Sequence, residues 1–214
     1  MPATRSEDRS DDDTERAAAR RRGDVARTGR AGDELGVRAA LGDPHSKVRV
    51  AALAALVRME RATPGDIAAL ARDADPVARR GACELAVTVP GSPVTPCLED
   101  LDPSVVEAAA FAAGELELVD AVPALVTIAL SHPERLCRES AVAALGAIGD
   151  DRGRAAVIEA TRDAPAIRRR AVVALAAFSG GDVESALRDR LEDRDWQVRQ
   201  AAEDVLGLSD EEPR

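Results

Sequence analysis

Aromatic side chains are nearly missing from this chain of 214 residues: it carries Phe111, Phe178 and Trp196, and no tyrosine. A thick globular core fills its wide gaps with aromatics, because each buries a large area. Yet 45% of the residues are hydrophobic, drawn mostly from Ala, Val and Leu. The combination points to thin layers of helices packed through small side chains. Lysine occurs once, at Lys47, so positive charge resides almost wholly in arginine, which forks two hydrogen bonds onto a carboxylate where lysine offers a point charge. Histidine occurs twice, at His45 and His132, each beside a proline at a turn. That is too few for a His-rich metal site. The cysteines, Cys83, Cys97 and Cys137, are odd in number and lack ligand spacing. Each lies in an apolar stretch, where a thiol behaves as a small hydrophobe. A glycine-rich phosphate loop and a nucleophile elbow are also absent. Neither a metal nor another cofactor is expected, and no catalytic residue stands out.

The longest apolar runs fall well short of the roughly 18 residues that span a bilayer. The first 23 residues are polar and lack the apolar segment of a signal peptide. A cytoplasmic protein is expected. The net charge of −10 opposes contact with phosphate backbones, so general nucleic-acid binding is disfavoured.

What the chain does have is a repeat. Six ten-residue segments align without gaps: 48–57, 78–87, 106–115, 137–146, 167–176 and 198–207. Their fifth position is always alanine: Ala52, Ala82, Ala110, Ala141, Ala171 and Ala202. The second is Arg49, Arg79, Arg138, Arg168 or Arg199 in five, and Glu107 in the third. Apolar residues fall at i, i+4, i+7 and i+8, the stripe of an amphipathic helix. An Xaa-Pro step precedes most segments, as at Asp43-Pro44, Asp75-Pro76 and Asp102-Pro103. Proline in a first turn loses no hydrogen bond, and the preceding Asp can cap free N–H groups. Shorter apolar stretches near 33–41, 64–72, 92–100, 120–130, 151–162 and 181–192 supply a partner helix for each. A hairpin of two such helices cannot bury its own stripe, so hairpins must stack. The spacing therefore predicts an all-α chain of about six helical hairpins over residues 24–208. Residues 1–23 are expected to be a disordered arm or frayed helix, and residues 209–214 a flexible tail.

The motif Asp-Pro-x-x-x-Val-Arg-x-x-Ala-x-x-Ala-Leu-Gly, carried by Asp43, Pro44, Val48, Arg49, Ala52, Ala55 and Leu56 and again by Arg138, Ala141, Leu145 and Gly146, resembles the HEAT repeat. It is similar to the short form found in phycobilisome lyase-like proteins. The resemblance implies an armadillo-like α-solenoid, a right-handed α-α superhelix whose second helices line the concave face. It also implies an Asp–Arg ladder between repeats. Its candidate members are Asp43, Asp73, Asp163 and Asp193 with Arg49, Arg79, Arg138, Arg168 and Arg199. The same arginines have a second reading, as a row facing an anionic partner. Glu107 interrupts either arrangement at the third repeat. HEAT-like hydroxylases use paired His-Glu ligands for iron, and neither histidine here is followed by Glu.

Charge is uneven along the chain. From Gly81 to Glu134 there is no Arg or Lys, and nine acids occur. Six of these, Glu99, Asp100, Asp102, Glu107, Glu115 and Glu117, form a candidate acidic centre for a partner with a basic surface. Arg168, Arg169 and Arg170 open a helix, where the dipole disfavours cations, and are a candidate anion contact. Trp196 reads either as a cover for the end of the stack or as an exposed anchor. Repeat architecture serves many functions. The expected one is a non-catalytic scaffold or adaptor that binds protein. The alternatives are a subunit of a bilin lyase-like or protein-modifying enzyme, and an RNA-associated factor using the arginines of the N-terminal arm.

Overall fold

The structure is a computed structural model that describes residues 4–208, with side chains from residue 13 onward. The expected tail over 209–214 lies outside the described residues. Among them are twelve α-helices and no β-strand. The chain divides after Val94 into two compact units.

The first unit holds α1 (Thr4–Arg30), α2 (Glu34–Ala39), α3 (Ser46–Arg58), α4 (Pro64–Leu70) and α5 (Pro76–Ala86). Helices α1, α3 and α5 pack in succession. Residues 4–23, expected as a loose arm or frayed helix, are the first turns of α1. Alanine, arginine and glutamate are good helix formers, and Ala18 and Val25 supply an apolar stripe. Both are buried with Val48, Ala52 and Leu56 of α3 in one cluster.

The second unit holds α6 (Pro103–Glu115), α7 (Val122–Ser131), α8 (Arg135–Ile148), α9 (Arg154–Ala160), α10 (Pro165–Ala174), α11 (Gly181–Arg190) and α12 (Trp196–Leu206). Helices α6, α8, α10 and α12 pack side by side, with α7, α9 and α11 as their hairpin partners. The partner helix expected near 92–100 is reduced to a 3-10 turn at Thr95–Glu99. Pro90, Pro93 and Pro96 remove the N–H groups that an α-helix would need there. Val94, Cys97 and Leu98 are still buried.

The N-terminal caps show the true repeat register. Asp75, Asp102 and Asp195 each accept the N–H two residues on and open α5, α6 and α12. His45 Nδ1 takes that role for α3, so Asp43 is not the cap there. Glu134 and Ala164 occupy the same position before α8 and α10 without a side-chain cap. Counting from the cap shifts the third repeat by one residue from the ungapped alignment. Ala109, not Ala110, stands where Ala141 and Ala171 stand. Two close contacts fix this. A Cβ on Gly114 would lie 2.9 Å from Ala144 Cα, and one on Gly146 would lie 2.8 Å from Ala174 Cα. The left-handed residue ending the helix agrees: Glu117 (φ 50°) after α6 occupies the place of Gly149 (φ 66°) after α8.

Candidate interaction face

The arginine four residues past each cap makes a repeated contact. In α3, Arg49 Nε and Nη2 donate to the Asp73 carboxylate at 2.7 and 2.6 Å, while Nη1 donates to the Asp43 carbonyl at 2.7 Å. Arg138 does the same with Asp163 at 2.8 and 3.1 Å and with the His132 carbonyl at 2.8 Å. Arg168 bonds Asp193 at 2.9 and 2.8 Å and the Asp163 carbonyl at 2.9 Å. Each aspartate also accepts a backbone N–H just beyond it, from Asp75, Ala164 and Asp195. Every rung thus ties a helix to its own entry loop and to the loop of the next hairpin.

Burial pushes the Asp73 and Asp193 carboxyls up, but the Arg hydrogen bonds, the backbone N–H and the arginine charge outweigh it. Both titrate below the usual carboxylate range. Asp163 is lowered chiefly by its Arg138 hydrogen bond.

One rung escaped the sequence reading. Arg21 of α1 forks onto Asp43 at 2.8 and 3.1 Å. It lies outside the repeat motif, and the helix supplying it was read as an arm. Arg79 anchors on the Asp73 carbonyl at 2.9 Å, and Arg199 on the Asp193 carbonyl at 2.7 Å.

The interruption in the third repeat falls elsewhere than at Glu107. In the corrected register Val106 takes the arginine position and is buried. The aspartate position of the following loop is His132, whose Nδ1 accepts the Glu134 N–H at 3.1 Å. Both members of the charged pair are replaced together, so no lone charge is left in the packed layer, where it would be costly.

Released from the ladder, Glu107 lies on the groove-lining face of α6, termed here its outer face. The six acids of the sequence reading separate accordingly. The Asp100 carboxylate accepts the Asp102 N–H, and Asp102 caps α6 through Ser104. Glu99 is exposed on the 3-10 turn, and Glu117 occupies the left-handed turn after α6. Glu107 and Glu115 alone among the six line a groove of about 360 Å³ between α6 and α8. Phe111 and Leu136 border it and are 54% and 61% exposed.

The three consecutive arginines separate too. Arg168 is buried in its rung. Arg169 donates to the Gln197 side chain at 3.1 Å, and Arg170 stands 3.7 Å from Glu139. Arg169 and Arg170 line a second groove, of about 380 Å³, between α10 and α12. Val173 and Trp196 border it, and Trp196 is 64% exposed. Arg170 lines both grooves, so they adjoin along the outer face of α6, α8, α10 and α12.

The three cysteines are buried. Burial and the charges of Glu107 and Glu134 push the Cys137 thiol up to about 11, and its Sγ lies 3.2 Å from the Pro103 carbonyl. Among the described residues no group of three or more His, Cys, Asp or Glu side chains is arranged to hold a metal. No described helix is long and apolar enough to cross a membrane.

Fold and ladder together define a class: an all-α protein of stacked helical hairpins. The family model for HEAT repeats matches residues 91–172. Two engineered proteins of known structure share the fold at 18% identity. The first superposes with a TM-score of 0.61 over 82% of this chain and 96% of its own. The second gives 0.63 over 83% of this chain and 58% of its own. A designed armadillo repeat protein gives 0.58 at 16% identity, over 82% of this chain and 98% of its own. No curated protein matches the sequence. The chain has a HEAT-like α-solenoid fold, and its residues 91–172 are similar to the HEAT-repeat family.

Proposed function

We propose that the chain is a non-catalytic scaffold or adaptor that binds a protein partner through the outer face of α6, α8, α10 and α12. The observation that carries this reading is the row of exposed apolar side chains along that face: Phe111, Leu136, Val173 and Trp196. Each is half exposed or more, and each borders one of two adjoining grooves. Soluble proteins rarely leave contiguous apolar surface open without a use for it. Aromatic residues beside uncommitted charge are the usual anchors of protein interfaces. The ladder lies at the loops, so it holds the helices in place and leaves this face free.

The test is affinity purification from the native host with the wild-type chain and with the Glu107→Lys/Glu115→Lys double variant. The variant should melt at the wild-type temperature and lose the captured partner. Full capture by the folded variant rejects this face as the binding surface.

A further inference from the structure

The charge along the outer face of the second unit is polar, and this defines the partner's chemistry. Glu107 and Glu115 bear on the first groove, and among the described residues no arginine, lysine or histidine lies within ion-pair distance of either. At the other groove Arg169 and Arg170 outnumber one carboxylate, Asp204, and Arg169 donates to the neutral amide of Gln197. Glu139 and Arg170 stand 3.7 Å apart where the two grooves adjoin. The face therefore runs from a clear excess of negative charge, across an apolar floor, to a smaller excess of positive charge.

We infer that the two grooves together take one extended peptide segment of a protein partner, basic at one end and acidic at the other, with an apolar anchor for each groove. This rests on the reading of the face as the interaction surface and adds the occupant and its polarity. A lysine or arginine placed over Glu107 and Glu115 gains two carboxylates and the open face of Phe111, a favourable partner for a cation. An aliphatic side chain then enters between Phe111 and Leu136. A second one packs on Val173 and Trp196, where the peptide's carboxylate meets Arg169.

Spacing sets the segment's length. The groove centres are separated by two helix-to-helix steps, from the α6–α8 gap to the α10–α12 gap. Packed helices lie about 8–10 Å apart, giving about 16–20 Å between anchors. An extended chain rises about 3.3 Å per residue, so the two apolar anchors fall about five or six residues apart. A helical segment would need about twice that number at 1.5 Å per residue.

Fluorescence anisotropy on the full chain tests this with labelled synthetic peptides. The bipolar probe carries two lysines, a leucine, four Ser/Gly spacers, a second leucine and two aspartates, made in both chain directions. Two controls keep the leucines and carry aspartates, or lysines, at both ends. One direction of the bipolar probe should bind about tenfold more tightly than either control, as expected when complementary charges are lost at one end. Glu107→Gln/Glu115→Gln should abolish the preference over the all-acidic control. Arg169→Gln/Arg170→Gln should abolish the preference over the all-basic one. Equal affinity for the bipolar and all-acidic probes would overturn the assignment, as would a preference unaffected by the glutamine variants. If no peptide binds while Glu107→Lys/Glu115→Lys still loses its host partner, the inferred occupant is wrong and the interaction face stands. If capture of the host partner survives in that variant, the reading of the face itself has failed.

Discussion

At the scale of single residues, the ladder is a set of paired charges in a packed layer, and its energetics are asymmetric. Removing one partner weakens the compensation of the other. Arg168→Ala should therefore cost about 1.5–3 kcal/mol, read as a fall in melting temperature, because Asp193 loses both guanidinium bonds and keeps a 3.4 Å contact with Arg190 and the Asp195 N–H. Replacing both, as Arg168→Met/Asp193→Leu, should recover most of that loss. The third repeat has already made such an exchange, with Val106 and His132 in the charged positions. Val106→Arg alone should destabilise the chain, and adding His132→Asp should restore it. A double-mutant cycle with no coupling between 106 and 132 would contradict the corrected register. The recurring arginines were visible in the sequence because their spacing matches the alanine period. Their partners were less so: the carboxylate each one takes lies 24 or 25 residues ahead, in the next hairpin. Arg21 carried no repeat signal at all, and only the packing of α1 on α3 brings it to Asp43.

At the scale of helices, small residues set the approach distance. The sites of Gly114 and Gly146 leave no room for a Cβ against α8 and α10 respectively. Gly146→Val should force those helices apart and cost about 1–3 kcal/mol, with the loss visible in thermal denaturation. Where α6 ends, Glu117 holds a left-handed backbone that glycine adopts freely. Glu117→Gly should raise the melting temperature by relieving about 1 kcal/mol of strain. The helical periodicity and the Pro-marked starts were legible because caps and stripes are local. The one-residue shift of the third repeat was not, since Ala108, Ala109 and Ala110 offer equal choices to an ungapped alignment. Cap position and the Gly114 contact decide between them. The missing helix near 92–100 was legible in principle from Pro90, Pro93 and Pro96, whose combined loss of N–H groups outweighs the apolar content.

At the scale of the whole molecule, stability and the proposed recognition draw on different surfaces. The rung aspartates Asp43, Asp73, Asp163 and Asp193 all titrate below their usual range in the folded chain. A carboxyl with a depressed folded pKa adds stability that is present above its unfolded pKa and lost as pH falls through the folded one. The melting temperature should therefore hold near neutral pH and drop below about pH 4. Replacing Asp73 and Asp163 by Asn should flatten that drop. The proposed interaction face contributes less to this balance, because Glu115, Phe111 and Trp196 are exposed. Its acidity was legible in the arginine-free stretch, but which acids share a groove was not. Asp100 and Asp102 are spent on turn and cap, and only the fold places Glu107 and Glu115 beside Phe111. Photo-crosslinking tests the central claim most directly, with benzoylphenylalanine at position 111 on the face or at position 130 on α7, in chains incubated with native host extract. The expected result is a discrete protein adduct from position 111 and none from position 130. Adducts from 130 with none from 111 would contradict the account.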